Sequence, residues 1–321
     1  MMKHQTISIR NDNGTEVSAQ APLIISASRS TDIPAFYADW FFHRLEKGYA
    51  RWRNPFSGQD SYVSFGKTRF IVFWSKNPAP LLPHLSTLKE RGIGCYIHFT
   101  LNNYDADSLE PNVPPLEQRI DTFRRLVDVL GAGAVVWRFD PLILTDKINT
   151  DSLLEKITYI ADALGESTEK LIFSFADIES YKKVPRNLRL SSINYREWDE
   201  ESMREFASRL STMNRNNWGF RLATCAERID LSEFDIEHNR CIDPELISRL
   251  APNDATLLNL LYNANTDNGQ RKACGCILSK DIGAYNTCPH GCLYCYANTS
   301  QVSAFANYKK ALANPFADSI I

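Results

Sequence analysis

Six apolar, β-rich runs alternate with five amphipathic segments along most of this chain. That alternation limits the fold more than any other feature. The runs are Leu23–Ala27, Phe70–Trp74, Cys95–Leu101, Ala134–Phe139, Leu171–Phe175 and Trp218–Thr224. They are almost continuously apolar, as parallel strands buried on both faces are. Between them, Ala35–Lys47, Pro80–Glu90, Leu116–Leu130, Ser152–Leu164 and Asp199–Asn214 read as helices. In Leu116–Leu130, the residues Ile120, Phe123, Leu126, Val127 and Leu130 recur at helical spacing. Leu153, Ile157, Ile160 and Leu164 do the same in the next helix. Repeated βα units predict a barrel or an open doubly wound sheet. No Gly-x-Gly-x-x-Gly follows the first strand, which argues against a dinucleotide fold. The expectation is an α/β fold, a TIM-like (βα) barrel, complete or partial, over residues 1–270. A cysteine-rich segment, 271–321, is expected to pack on it as part of one structural unit.

Charge and hydropathy exclude some classes of partner. Lys and Arg number 36 against 38 Asp and Glu, a formal net charge of −2. No basic excess points to broad nucleic-acid binding, which stays a minor option carried by Arg51, Arg53 and Arg69. The N-terminal stretch is polar with no apolar core, and no apolar run approaches a membrane span. A cytoplasmic protein without a membrane partner is expected. In a reducing compartment, clustered cysteines read as metal ligands or catalytic groups before disulfides.

In βα barrels the working residues sit at the C-terminal ends of the strands. Here those places are polar. Ser28, Arg29, Thr31 and Asp32 follow the first strand, Ser75, Lys76 and Asn77 the second, and Thr100 and Asn102 the third. Arg138 and Asp140 end the fourth, Ser174 and Asp177 the fifth, and Thr224, Cys225 and Glu227 the sixth. Helix capping accounts for many such Ser, Asp and Asn residues. Charges at buried strand ends need partners, so Arg29, Asp32, Lys76, Arg138 and Asp140 are the candidate catalytic residues. The cations suggest a small-molecule or phosphate-bearing, anionic substrate.

Five of the eight cysteines fall between Cys274 and Cys295. Cys288, Cys292 and Cys295 form C-x3-C-x2-C, and three thiolates on a short loop can hold three corners of a cubane cluster. The fourth iron then has no protein thiolate and can bind a small molecule. Zinc held by the three cysteines and His290 is the alternative, although structural zinc sites usually carry two C-x2-C-type pairs. The loop reads CPHGCLYC, the radical SAM signature, with Tyr294 placed to pack beside an adenine. His290 and Asn286 flank it as candidate cofactor contacts. Cys225, Cys241, Cys274 and Cys276 form a possible second site, either an auxiliary [4Fe–4S] cluster or a structural zinc. Cys95 begins a strand and reads as core.

The chain resembles an uncharacterised bacterial family described as a domain of unknown function with a radical-SAM-like cysteine cluster at its C-terminus. The resemblance rests on ISASRSTDIPAFYADWF, FWSKNPAPLLPHL, WRFDPL, TCAERIDL and SKDIGAYNTCPHGCLYCYAN, and it covers about Ile25 to Asn298. It implies a [4Fe–4S] cluster, S-adenosylmethionine as cofactor and a reductant such as flavodoxin or ferredoxin. In ordinary radical SAM proteins the cysteine loop follows the first strand. Here it follows the last unit, which looks like a circular permutation. CILSKDIG would supply the strand before the loop and Ala297–Ala311 the helix after it, beside the first strand. A zinc-stabilised barrel, hydrolytic or merely binding, and an iron–sulfur carrier or sensor without SAM chemistry are the competing readings.

Overall fold

A computed structural model describes residues 4–267 and 273–321. Two antiparallel hairpins open the chain and form a small sheet of their own. Its strands are β1 (Gln5–Arg10), β2 (Glu16–Ala21), β4 (Tyr49–Arg53) and β5 (Asp60–Ser64), in the order β1-β2-β5-β4. β3 (Ile24–Ala27) follows β2 directly but belongs to the main sheet. Sequence periodicity assigned no strands to the hairpins, because they are half-solvated and mix polar with apolar residues. β1, for instance, reads QTISIR.

The main sheet has eight strands, all parallel, in the order β13-β12-β10-β8-β7-β6-β3-β14. Beyond β3 they are β6 (Phe70–Ser75), β7 (Gly94–Thr100), β8 (Val135–Leu142), β10 (Lys170–Phe175), β12 (Arg221–Thr224), β13 (Ile236–His238) and β14 (Lys280–Asp281). A two-residue ribbon, β9 (Leu144–Thr145) with β11 (Tyr195–Arg196), lies outside it. The six expected strands are all present. The last begins at Arg221 rather than Trp218, because Trp218 caps the preceding helix.

The helices are α1 (Ile33–Phe36), α2 (Ala38–Lys47), α3 (Leu85–Glu90), α4 (Leu116–Leu130), α5 (Thr150–Leu164), α6 (Lys183–Leu190), α7 (Glu200–Asn217), α8 (Pro244–Leu250), α9 (Ala255–Tyr262) and α10 (Gln301–Ala313). Asn149 and Asp199 close capping boxes with Ser152 and Ser202, which fixes where α5 and α7 begin.

Both faces of the main sheet are buried. On one, Ile71, Phe73, Ile97, Phe99, Trp137 and Phe173 pack with apolar residues of α2, α4, α5 and α7. On the other, Ile24, Phe70, Val72 and Tyr96 meet Ile242, Ile247, Leu257, Leu261, Cys276 and Ile277. The second face is therefore covered by residues from the chain between β13 and β14. Among the described residues β13 and β14 are edges and do not pair, so the sheet is open. β14 lies parallel to β3 in the register Lys280↔Ile25 and Asp281↔Ser26, and α10 follows the cysteine loop. The cysteine-loop unit thus sits beside the first main-sheet strand.

Candidate functional site: two groups of cysteines

The loop carrying Cys288, Cys292 and Cys295 is held mainly through its backbone. Tyr37 Oη donates to Thr287 O at 2.6 Å, Asn298 Nδ2 to Cys288 O at 2.8 Å, Asn112 Nδ2 to Pro289 O at 3.0 Å and Gln301 Nε2 to Gly291 O at 2.8 Å. Gly291 has φ +72, and a Cβ there would meet Asn112 Nδ2 at 2.9 Å. Both the left-handed turn and the close approach call for glycine.

The strand below the loop is fastened by one carboxylate. Asp281 accepts from Ser26 Oγ, Ser28 Oγ, Arg29 N, Ser30 Oγ and Gly283 N at 2.9–3.2 Å. A Cβ on Gly283 would fall 1.8 Å from Ser28 Oγ and 2.6 Å from its Cβ. The β3 turn and the β14 turn can be this close only because that residue has no side chain.

Burial raises all three loop thiols above the ordinary range. Asp32 and the other two sulfurs add to the shift at Cys288, and Glu110 and Cys295 add to it at Cys292. The three are close enough to act on one another electrostatically, yet no sulfur-to-sulfur hydrogen bond joins them. His290 is 2% exposed, and both its ring nitrogens are engaged, Nε2 with Asp32 Oδ2 at 2.9 Å and Nδ1 with Asn112 O at 3.3 Å. His290, expected beside a cofactor or as a fourth zinc ligand, has both nitrogens on protein partners here. Among the described residues no three His, Cys, Asp or Glu side chains are grouped to hold a single metal ion. Three soft donors on one short loop, partly buried and with His290 engaged elsewhere, fit a cluster with one open iron better than a closed tetrahedral ion. The buried Oδ1 of Asn298 and Oγ1 of Thr31 also have no hydrogen-bond partner.

Most of the other expected site residues have protein partners. Asp32 caps α1 through Ala35 N at 3.0 Å, and it also accepts from Ser75 Oγ at 2.7 Å, Lys76 N at 2.8 Å and His290. No lone pair is left for a substrate. Asn286 is a turn residue at φ +59, and its Oδ1 accepts from Thr299 N. Lys76 pairs with Glu110 at 2.8 Å. The ring of Tyr294 lies 5.4 Å from Lys76 Nζ, and its hydroxyl donates to Glu110 rather than facing an open adenine site. Glu110 carries no sequence signal beyond being one acid in a proline-rich loop, yet it ties Lys76, Asn102 and Tyr294 together. Burial alone would raise its pKa, but Lys76 and Arg119 outweigh that and hold it below the usual carboxylate range.

Arg138 lies on the sheet face covered by Ile242, Ile247, Leu257 and Cys276, in one row with Thr100, Ile172 and Ala223. Its Nη1 donates to Cys241 Sγ at 3.3 Å and its Nη2 pairs with Asp140. Burial would raise Asp140 as well, but Arg138 and Ser174 keep it low. Arg29 stacks 5.2 Å from the Trp74 ring and faces Cys276, Cys241, Asp281 and Cys274. The three cations offered to an anionic substrate are therefore all engaged inside the protein. Asp140 keeps some exposure, its side chain being 27% accessible. Near it lies Glu227, whose Oε1 accepts from Phe175 N at 2.9 Å and whose pKa burial pushes up to about 7.

Four of the other five cysteines come together as two contacting pairs. Cys225 and Cys241 sulfurs are 3.4 Å apart and those of Cys274 and Cys276 3.1 Å. All are free thiols. The hydrogen bond to Cys276, helped by Arg29, lowers Cys274 to about 7.

A cavity of about 240 Å³ lies at the opposite ends of β8, β10 and β12, against α8, lined among others by His98, Lys170, Asn239 and Arg249. No cysteine lines it. Among the described residues no helix is long and apolar enough to cross a membrane. The family model described as "Domain of unknown function (DUF1848)" matches residues 24–297. No curated protein and no solved structure matches the chain.

Proposed function

Since this chain belongs to the DUF1848 family, whose function is unknown, its chemistry has to be argued from the site, and we propose that it is a radical SAM enzyme. Cys288, Cys292 and Cys295 would hold three corners of a [4Fe–4S] cluster, and S-adenosylmethionine would bind at the fourth. When bound and reduced by a protein such as flavodoxin or ferredoxin, this pair supplies a 5′-deoxyadenosyl radical able to take a hydrogen atom from a substrate.

The chain's own residues give that chemistry its setting. Tyr37, Asn112, Asn298 and Gln301 fix the loop by its carbonyls. Asp32 and His290 lock the loop to the ends of β3 and β6. Glu110 holds Lys76 and Tyr294 beneath the loop. Asp140 and Glu227 are two polar groups that could position a substrate, and Glu227, with a pKa near 7, can give or take a proton at neutral pH. The charge of the substrate is not read from Arg29, Lys76 or Arg138, which already have protein partners.

One observation carries the reading. Cys288, Cys292 and Cys295, each partly buried, share one loop at the strand-end side of a parallel sheet, close enough to act on one another electrostatically, while His290 beside them is held by Asp32 and Asn112. The test is to reconstitute iron and sulfide anaerobically, reduce the protein, and record its EPR spectrum with and without S-adenosylmethionine, assaying 5′-deoxyadenosine on the same sample. A cluster signal that shifts with S-adenosylmethionine, together with 5′-deoxyadenosine, supports the enzyme. A cluster signal indifferent to S-adenosylmethionine would leave an iron–sulfur carrier or sensor. Failure to bind iron at these cysteines would sink both.

A further inference from the structure

Cys225, Cys241, Cys274 and Cys276 make two sulfur-to-sulfur contacts, whereas the loop triplet makes none. We propose that Cys225, Cys241, Cys274 and Cys276 hold one zinc ion, a centre separate from the triplet and independent of its chemistry.

The sulfur spacing makes the choice of metal. Zinc bonds thiolate sulfur at about 2.3 Å, so a tetrahedral set has sulfurs about 3.8 Å apart. The sulfur pairs here lie at 3.4 Å and 3.1 Å, so a single ion would need to spread them by less than about 1 Å. A cubane cluster puts each thiolate on a different iron, at separate corners, and would have to drive these sulfurs well apart. With no ion bound, the four rest as two contacting pairs, which is why no three of them converge on one point.

The surroundings are those of thiolates. Three N–H donors already point at the sulfurs. Arg138 Nη1 donates to Cys241 at 3.3 Å, Ile242 N to Cys276 at 3.3 Å and Asn239 Nδ2 to Cys241 at 3.5 Å. Such donors to ligand sulfur are what tunes a metal centre from its outer shell. Four thiolates and a divalent ion carry a net charge of −2. Arg138 and Arg29 are the two guanidinium groups that face these sulfurs, and Nη2 of Arg29 is buried with no hydrogen-bond partner. Gly275 fits the same reading, since a Cβ there would press on Arg240 Cγ at 3.0 Å.

The ligands also come from three places. Cys225 ends β12, Cys241 follows β13, and Cys274 and Cys276 precede the bridge between Thr266 and Ile277. One ion would clamp the chain around Cys241 and around Cys274 and Cys276 to the end of β12 at Cys225.

The experiment is a zinc and iron count on the full chain, purified anaerobically from cells grown with both metals. The expected result is about one zinc per chain, released to a chromophoric chelator only after a mercurial blocks the thiols. Cys241→Ser and Cys276→Ser should lower bound zinc roughly tenfold, while Cys288→Ala keeps zinc and loses iron. Cobalt added in place of zinc should give an intense sulfur-to-cobalt band. Folded wild-type protein without zinc would overturn the proposal. So would about eight irons per chain falling to about four in Cys241→Ser, or a mass two or four units low from disulfides among these residues. If Cys241→Ser fails to fold, the wild-type zinc count, mercurial release and cobalt spectrum still decide. Loss of S-adenosylmethionine chemistry with zinc intact would count against the triplet alone.

Discussion

Cys288, Cys292 and Cys295 lie within eight residues on one loop, whereas Cys225, Cys241, Cys274 and Cys276 come from three segments across 52 residues. The loop group is fixed from outside, by side chains that grip its carbonyls, and no hydrogen bond joins its sulfurs. The dispersed group is fixed from inside the fold, and its sulfurs touch. A short motif can set its own geometry and needs the fold only to hold it in place. A dispersed set exists only once β12, β13 and the chain around Cys274 and Cys276 have packed. The first arrangement suits a reactive centre with an open side, and the second a closed staple.

The sharpest way to break that contrast is to remove one sulfur from each group. Cys276→Ser should destabilise the whole fold, because structural zinc binding is worth about 10–16 kcal/mol and is folding free energy. A loss on that scale is comparable with the usual margin of about 5–15 kcal/mol, so a large fall in melting temperature or insoluble protein is expected. Cys292→Ala should cost far less in melting temperature while abolishing iron binding. Equal losses of stability from the two would erase the distinction between centre and staple.

Next in size is Glu110→Gln. It leaves Lys76 and Arg119 facing a neutral amide in the interior, and breaking a buried pair costs about 3–5 kcal/mol. Denaturant unfolding would measure it. Glu110 also carries the Tyr294 hydroxyl under the triplet, so reconstituted cluster content should fall while zinc stays constant. A parallel loss of zinc would mean that the two groups are coupled through the sheet.

Gly283→Ala tests whether the loop unit depends on its seam with β3. The added Cβ collides with Ser28 Oγ and disturbs the hydrogen bonds that Asp281 receives. Overpacking of this kind costs about 1–3 kcal/mol. A wild-type melting curve would show that the seam can open freely.

The same contrast explains how far the sequence could be read. The continuous apolar runs marked all six strands, because both faces of the main sheet are covered and burial leaves no room for polar alternation. The triplet was legible because its ligands are local. The hairpins β1–β2 and β4–β5 were not, since a half-solvated ribbon mixes polar and apolar residues in both faces' favour. The roles of Asp32, His290 and Lys76 were not legible either. Each is settled by a partner 34–258 residues away, and such pairings follow only from the packed fold. Charge at a strand end signalled a need for partners, and most of those partners turned out to be protein. Glu110 illustrates the converse, a central residue with nothing in its neighbourhood of sequence to mark it.

The smallest effect concerns Glu227, which lies near Cys225 and Asp140 and ligates neither group. Burial raises its folded pKa from 4.5 to about 7, with Asp140 and Cys225 adding to the shift. The folded state then holds this proton more tightly than the unfolded state. Its contribution to stability is greatest below pH 4.5 and declines as pH rises toward about 7, above which the penalty is constant. Fully realised, a shift of this size is worth about 3 kcal/mol, and partial exposure reduces it to on the order of 1 kcal/mol. Urea midpoints measured between pH 4.5 and 7.5 should therefore fall for the wild type and flatten in Glu227→Gln, with zinc and iron contents unchanged in the variant. If Glu227 positions a substrate, the same variant should also remove a pH dependence near 7 from turnover while leaving cluster assembly intact. A stability profile that is flat in the wild type would mean that water reaches this carboxyl freely, and it would leave Asp140 as the polar group to examine between the two centres.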